Sequence, residues 1–304
     1  MVFDTGMAHM DTEMKHLRRA GKFIGCDADF KDAKIVLFGA PFDGTASYRP
    51  GARFATARVR AESDSIETYS PYLDMDLIDQ GVAVYDAGDL ELPFGAAARA
   101  VSMIERCADD VLRAGKFPFM LGGEHLVTLG AVKAAARKHP KLSIAQFDAH
   151  ADLRGDYTGE PLSHATIARR CLELTGDRRL FQFGVRSGER SEFEFAKKHT
   201  FMSRFNFDRL KEALSLPAMS GCPVYLTIDL DVLDPSEFPG TGSPEAGGVG
   251  FTELLDAARA VIERCDVVGL DITELCPPAD PSGISVLLAC KLVRELLLCI
   301  SARL

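Results

Sequence analysis

Short apolar runs alternate with amphipathic segments along most of the chain, and this alternation limits the fold more than any other feature. Seven runs are apolar nearly throughout, as expected of parallel strands that are covered on both faces. An eighth, weaker run lies around Thr200–Met202. Regular alternation of strands and helices places helices on both sides of a parallel sheet. We therefore predict an α/β fold with three layers (α/β/α) and a central, mostly parallel sheet of about eight strands. The seven clear runs are Ile35–Phe38, Val82–Tyr85, Pro118–Leu121, Leu142–Phe147, Leu180–Phe183, Val224–Ile228 and Val267–Leu270.

The segments between these runs have the periodicity of helices. One of them begins near Thr252, a candidate N-cap, and its apolar residues share one helical face. No long linker or internal repeat divides the chain, so we predict a single domain over residues 31–304. Residues 1–30 are predicted to form an N-terminal arm or edge element. The other predicted helices cover Ala97–Ala114, Val127–Lys138, His164–Leu174 and Ser285–Ile300.

Aspartate and histidine residues follow three of the predicted strands. Each group comes directly after an apolar run, and the carboxyl ends of parallel strands are where open α/β sheets bind ligands. Side chains two residues apart in an extended chain point the same way, so each group can present its side chains together. The candidate metal ligands are His125, Asp148, His150, Asp152, Asp229 and Asp231.

Four carboxylates and two imidazoles suit a pair of divalent ions, Mn²⁺ above all. A carboxylate can bridge two ions and an imidazole cannot, so an excess of Asp over His is what a binuclear centre needs. A single group would be weak support, because Asp at a strand end is common turn chemistry. Three groups at the same edge of a predicted sheet favour metal binding, and we predict two Mn²⁺ ions.

Composition and charge exclude several classes of protein. A formal net charge of −9 argues against nucleic acid as a partner. The longest apolar run, around residues 287–300, contains Lys291, Arg294 and Glu295 and cannot span a membrane. The eight cysteines form no CxxC pair, and the first residues contain no apolar stretch typical of a signal peptide. These features predict a cytoplasmic protein with reduced thiols.

Three sequence motifs resemble the metal motifs of the ureohydrolases, the family that includes arginases and agmatinases. They are Gly-Gly-Glu-His (residues 122–125), Asp-Ala-His-Ala-Asp (148–152) and Asp-Leu-Asp-Val-Leu-Asp-Pro (229–235). The resemblance extends from about Phe38 to Arg294. Residues 159–164 and 238–245 are most similar to bacterial agmatinases, and the loop with which arginases hold the substrate's α-carboxylate is not apparent. Glu124 departs from the pattern, since many relatives carry Asp there.

The resemblance implies an arginase-like fold and hydrolysis of agmatine to urea and putrescine, as in polyamine metabolism. Hydroxide shared by two Mn²⁺ ions would attack the guanidinium carbon. The resemblance implies that Asp148 and Asp229 bridge the ions. His125 and Asp152 would complete one ion, and His150 and Asp231 the other.

The resemblance also implies roles around the metal centre. His164 would pass a proton to the departing amine, although an alternative is that it caps a helix. Glu274 would hold the guanidinium by a charge-assisted bidentate pair. Asp156 and Glu160 are candidates for binding the ammonium group of agmatine. The family also implies a homo-oligomer, either a trimer or a hexamer.

Several alternatives remain open from the sequence. A guanidino-acid hydrolase, for instance one acting on 4-guanidinobutyrate, would need a basic residue near the loops, and Arg154 or Arg186 could serve. An arginase is a further alternative within the same chemistry. A metal-dependent deacetylase would need only one His/Asp/Asp set, whereas the chain has ligands for two ions. A non-catalytic homologue would not need His164 and Glu274.

Overall fold

A computed structural model of the protein describes residues 17–18, 21–79 and 81–304. Nine of the strands in these residues form one sheet, in the order β1-β5-β2-β6-β11-β10-β7-β8-β9, and β3 and β4 form a separate antiparallel pair. Strand β1 is antiparallel to β5, and all other neighbours in the large sheet are parallel. The strands are β1 (Leu17–Arg18), β2 (Ile35–Ala40), β3 (Tyr69–Ser70), β4 (Met75–Asp76), β5 (Val84–Leu90), β6 (Phe117–Gly122), β7 (Ser143–Phe147), β8 (Leu180–Val185), β9 (Phe201–Arg204), β10 (Pro223–Asp229) and β11 (Asp266–Thr273).

Helices cover both faces of this sheet, which confirms the predicted three layers. Alternate residues of β2 face opposite cores: Ile35 and Leu37 pack with one apolar cluster, and Val36 and Phe38 with the other. Helices α1, α8 and α9 contribute to the first cluster, and α2, α3 and α4 to the second. The helices are α1 (Ala55–Glu62), α2 (Ala97–Arg113), α3 (Thr128–Lys138), α4 (Ile167–Thr175), α5 (Arg190–His199), α6 (Leu210–Leu214), α7 (Pro217–Ser220), α8 (Phe251–Arg264) and α9 (Ile284–Arg303).

Every predicted strand is present, but two of them extend well beyond their predicted ends. Strand β5 continues to Leu90 and β11 to Thr273. The extra residues include Asp86 and Asp271, which resemble loop residues in the sequence. Both are buried in the structure, because Arg60 pairs with Asp86 and side chains of β10 donate hydrogen bonds to Asp271.

The helix starts differ from the predicted ones in a systematic way. The helix predicted from residue 127 starts at Thr128, after the 3-10 turn His125–Val127. The helix predicted from residue 164 begins with the 3-10 turn His164–Thr166. Helix α8 begins at Phe251 after Gly250, without a side-chain cap, so the predicted N-cap role of Thr252 is wrong.

Three further expectations concern the chain as a whole. The predicted N-terminal arm falls in part on residues 1–16 and 19–20, outside the described residues; within it, Leu17–Arg18 lies at the edge of the sheet. All eight cysteines are free, and seven of them are buried. Among the helices that the structure describes, none combines the length and apolar character needed to cross a membrane.

Candidate metal centre

The turn after β6 carries His125 into the centre of the molecule. Two glycines allow the chain to pass there, because a Cβ atom on Gly123 would lie 2.0 Å from the carbonyl oxygen of Phe42. On Gly122, a Cβ atom would lie 2.6 Å from a methyl group of Thr273. Any side chain at these two positions would therefore displace the backbone that presents His125.

The other ligand groups follow β7 and β10, but their chains are not extended as predicted. Asp229 is the last residue of β10, and Asp231 lies in the 3-10 turn Leu230–Val232. The turn is closed by the carboxylate of Asp229, which accepts a hydrogen bond from the amide of Asp231 at 2.9 Å. In the second group, Asp152 has a φ of +51°, a left-handed conformation that is uncommon for a residue other than glycine.

All six predicted ligands nevertheless converge on one centre. The Nδ1 atom of His125 lies 3.0 Å from Asp148 and 3.2 Å from both Asp152 and Asp229. The Nδ1 atom of His150 lies 2.8 Å from Asp231 and 3.7 Å from Asp148.

Two groups of ligand atoms can be distinguished within this centre. One consists of His125, Asp148 and Asp229, the other of Asp148, His150 and Asp231, with ligand atoms within 4.8 Å of one another in each. Asp148 belongs to both groups, which is the arrangement that two ions sharing a carboxylate require.

The chemistry of the donor set fits divalent cations. Nδ1 of His125 is buried and has no hydrogen-bond partner, although it faces three carboxylates. Burial, together with neighbouring carboxylates, raises the pKa of Asp152 to about 7 and that of Asp229 well above its ordinary value. Buried carboxylates so close together need cations to compensate their charge. A pair of divalent ions would supply it.

Glu274 approaches the same centre from the end of β11. Its φ of +63° places it in the left-handed region, and its backbone amide donates to the carbonyl oxygen of Gly123 at 2.8 Å. One carboxylate oxygen accepts from the amide of His125 at 2.7 Å. Burial and the neighbouring Glu124 raise the pKa of Glu274 to about 8. Its side chain lines a cavity of about 280 Å³ together with five of the six ligands, His125, His150, Asp152, Asp229 and Asp231.

His164 lies on the wall of this cavity. Ser163, not His164, is the N-cap of the 3-10 turn, and its hydroxyl accepts a hydrogen bond from the amide of Ala165. The capping alternative for His164 is therefore wrong. Its Nε2 atom lies 3.2 Å from the hydroxyl of Ser47. Burial lowers the pKa of His164 to about 4, so the ring is neutral at neutral pH.

Thr45 and Glu124 connect His164 to the turn that carries His125. This connection was not predicted from the sequence. The carboxylate of Glu124 is buried and accepts from both the amide and the hydroxyl of Thr45, at 2.9 and 2.7 Å. The hydroxyl of Thr45 in turn accepts from the amide of His164 at 3.1 Å. The only available signal was that Glu124 precedes a ligand in a motif.

Asp156 and Glu160 are not brought to the cavity. Both are exposed and absent from its lining. Asp156 instead accepts a hydrogen bond from the amide of Gly159 within its own loop at 3.0 Å. An acidic residue that the sequence did not single out, Glu189, does line the cavity. It precedes α5 and has a side chain 57% exposed.

The two arginines considered for binding a carboxylate both have other partners. Arg154 lies 3.1 Å from Glu189 and 3.5 Å from Glu192. Arg186 donates to five backbone carbonyl groups, including those of Asp231 and Glu245. Neither guanidinium is therefore free to receive a substrate carboxylate in this arrangement.

Comparison with known proteins agrees with this geometry. Residues 33–299 match the sequence profile of the arginase family. The chain belongs to the arginase family. The fold and the ligand motifs are thus those that the sequence resemblance implied, and the family is one of enzymes with binuclear metal centres.

Relatives within the arginase family differ in their substrates. An agmatinase of Bacillus anthracis is 48% identical over 278 residues, which cover 91% of this chain and 95% of the relative. A guanidinobutyrase of Pseudomonas aeruginosa is 34% identical, covering 89% of this chain and 87% of the relative. The crystal structure of agmatine ureohydrolase of Thermoplasma volcanium superposes with a TM-score of 0.83 at 31% identity, covering 95% and 97% of the two chains.

Proposed function

We propose that this protein is an agmatinase, a hydrolase that releases urea from the guanidino group of agmatine. The observation that carries the proposal is the convergence of two metal-ligand groups, His164 and Glu274 on one cavity. The agmatinase relative at 48% identity supports the choice of substrate.

The six ligands would hold two Mn²⁺ ions. His125, Asp148, Asp152 and Asp229 would hold one ion, and His150, Asp148 and Asp231 would hold the other, with Asp229 as a second candidate for a shared ligand. When bound, the ions would supply hydroxide at neutral pH by lowering the pKa of water from about 15.7 to roughly 7. Manganese rather than another ion is favoured by the mixture of carboxylate and imidazole ligands.

Glu274 and His164 line the same cavity, and both would act on the substrate. Glu274 keeps one carboxylate oxygen on the amide of His125, and its other oxygen can accept hydrogen bonds from the guanidinium. This fixes the planar group beside the ligand cluster. His164 is neutral, so its ring can take up a proton from water and then deliver it to the departing amine.

The partners that already occupy Arg154 and Arg186 favour a substrate with a cationic tail. Arg186 is hydrogen-bonded to backbone carbonyl groups. Arg154 lines the cavity between Glu189 and Glu192, so these three side chains bring two negative charges and one positive charge to it. An ammonium group is attracted to such a rim, and a carboxylate is repelled. Hydrolysis of 4-guanidinobutyrate is the second candidate, because a guanidinobutyrase is among the relatives. It would require Arg154 to leave its acidic partners.

The direct test is urea release by Mn²⁺-loaded protein offered agmatine, L-arginine and 4-guanidinobutyrate in parallel. We expect agmatine to be preferred by at least about 10-fold in kcat/KM, which corresponds to about 1.4 kcal/mol. Preference for a carboxylated compound would contradict the substrate and leave the metal chemistry intact. Absence of urea from all three, with two ions bound, would contradict the proposed activity.

Other predictions remain for experiment. Ligands for a second position, His125 and Asp152, argue against a one-metal deacetylase. The presence of His164 and Glu274 beside them argues against a non-catalytic homologue. A cytoplasmic homo-oligomer, trimeric or hexameric, a role in polyamine metabolism and a single domain over residues 31–304 stay predictions.

A further inference from the structure

A group of polar side chains lies behind His125, in the interior of the sheet. Tyr225 and Thr227 are on β10, and Asp271 is on the neighbouring β11, where Thr227 and Asp271 are register partners. Their exposed fractions are 1%, 2% and 0%. A carboxylate so deeply buried between two helix layers is costly unless it has partners. It lines no part of the cavity and has no role in the proposed chemistry.

Hydrogen bonds connect these residues to His125 in one continuous chain. The hydroxyl of Tyr225 donates to one oxygen of Asp271 at 2.8 Å, and the hydroxyl of Thr227 donates to the other at 2.6 Å. The oxygen of Thr227 lies 3.0 Å from Nε2 of His125. The hydroxyl of Thr128 lies 3.3 Å from the same oxygen.

Asp271, which accepts two of these hydrogen bonds, sets the direction of the others. Both oxygens of Asp271 accept, one from Tyr225 and the other from Thr227, so Thr227 gives its single hydroxyl hydrogen to Asp271. The oxygen of Thr227 can then only accept from the ring of His125. Nε2 of His125 therefore carries the hydrogen. Its Nδ1 atom is left with a lone pair, and Nδ1 is the atom that faces Asp148, Asp152 and Asp229.

We propose that Thr227, Asp271 and Tyr225 are positioning residues that hold His125 in the tautomer able to bind a metal ion. The inference rests on the proposed metal centre and adds a cause for its affinity at one of its two positions. Removing a hydrogen-bond partner of a ligating histidine typically weakens metal binding about 10- to 100-fold. The effect should be confined to the ion held by His125, because these hydrogen bonds do not extend to His150.

Thr227→Val gives the test, since valine keeps the shape of threonine and removes the hydroxyl. We expect Mn²⁺ binding, measured by equilibrium dialysis with metal analysis, to weaken about 10- to 100-fold for one of the two ions. Electron paramagnetic resonance at limiting Mn²⁺ should then show isolated rather than coupled ions. Thr227→Ser, which restores the hydroxyl, should bind both ions as the wild type does.

Thr200→Val is the matched control. Thr200 is also buried, lies outside the cavity lining, and its hydroxyl donates only to the carbonyl oxygen of Ala196, at 3.3 Å, among the hydrogen bonds described. Its replacement should leave both ions bound with wild-type affinity. If it weakens one ion as Thr227→Val does, general loosening of the fold explains the effect and the proposal is overturned.

Further outcomes separate this proposal from the function itself. Wild-type protein that binds fewer than two Mn²⁺ ions would contradict the proposed metal centre. Two ions in the wild type, and unchanged affinity for both in Thr227→Val, would overturn the positioning role alone. Should Thr227→Val not fold, Tyr225→Phe still decides, because it removes only the hydroxyl that donates to Asp271. Weaker binding of one ion supports the proposal, and wild-type affinity for both ions overturns it.

Discussion

At the scale of single residues, His164 combines a neutral ring with a position on the cavity wall. Replacement by Gln removes the proton carrier, and we expect kcat for agmatine to fall about 10²- to 10⁴-fold. The Mn²⁺ content should not change, because His164 is not among the ligands. Steady-state urea release and metal analysis of the same sample provide both numbers.

The control for this variant is His199→Gln. His199 pairs with Asp177 at 2.9 Å, at the end of α5 and away from the cavity lining. It should keep wild-type activity. Full activity in His164→Gln, or loss of Mn²⁺ from it, would contradict the role assigned to this ring.

Glu189 determines whether Arg154 is available to a substrate. In Glu189→Gln the nearest acidic partner of Arg154 loses its charge, so a carboxylated substrate gains an attractive partner and agmatine loses one. We expect the ratio of kcat/KM for 4-guanidinobutyrate to that for agmatine to rise roughly 10-fold, equivalent to about 1.4 kcal/mol. The measurement is urea release with both substrates over a range of concentrations.

Glu194→Gln serves as the comparison for charge alone. Glu194 is exposed on α5, the helix that Glu189 precedes, and does not line the cavity. If both variants change the ratio equally, the net charge of the protein, not the pairing with Arg154, would be the cause.

At the scale of elements, Asp234 binds the glycine-rich loop of residues 240–248, which follows the ligands Asp229 and Asp231. One of its oxygens accepts from the amide and hydroxyl of Ser236, and the other from the amides of Gly247 and Gly248. These hydrogen bonds lower the pKa of Asp234 to about 2. The same loop carries Ser243, which lines the cavity.

A lowered pKa makes the contribution of Asp234 to stability depend on pH. The stabilisation is complete above the unfolded-state pKa of about 4 and is lost as the pH falls towards 2. We expect Asp234→Asn to lower the free energy of unfolding at pH 7 by about 1 kcal/mol, with a smaller difference at pH 3. Urea denaturation at both values measures it, with the exposed Asp256→Asn as control. An equal loss at both values would contradict the account.

Local patterns predict elements well and their ends less well. The strand interiors were identified from apolar runs, because both faces of a parallel strand are buried. The continuation of β5 past Tyr85 was not, since its cause is a contact of Asp86 with Arg60, 26 residues away. The N-cap assigned to Thr252 is wrong because Gly250, two residues earlier, is the extended N-cap residue and the helix begins at Phe251.

At the scale of the whole molecule, the order of the strands explains why the metal ligands could be predicted. Strands β6, β7, β10 and β11 are neighbours in the sheet and parallel, so residues at their carboxyl ends must meet. The contacts that surround the ligands could not be predicted in the same way. Glu124 and Thr45 are 79 residues apart and Thr45 and His164 are 119 apart. The conformation of the loops, not a periodic pattern in the sequence, brings these residues together.

The most direct test of this account is a crystal structure of the Mn²⁺-loaded protein with anomalous scattering measured at the manganese edge. We predict two peaks in each chain, about 3.5–4 Å apart. One should lie beside Nδ1 of His125 and the other beside Nδ1 of His150, with Asp148 between them. A single peak, or two peaks away from these nitrogen atoms, would contradict the binuclear centre.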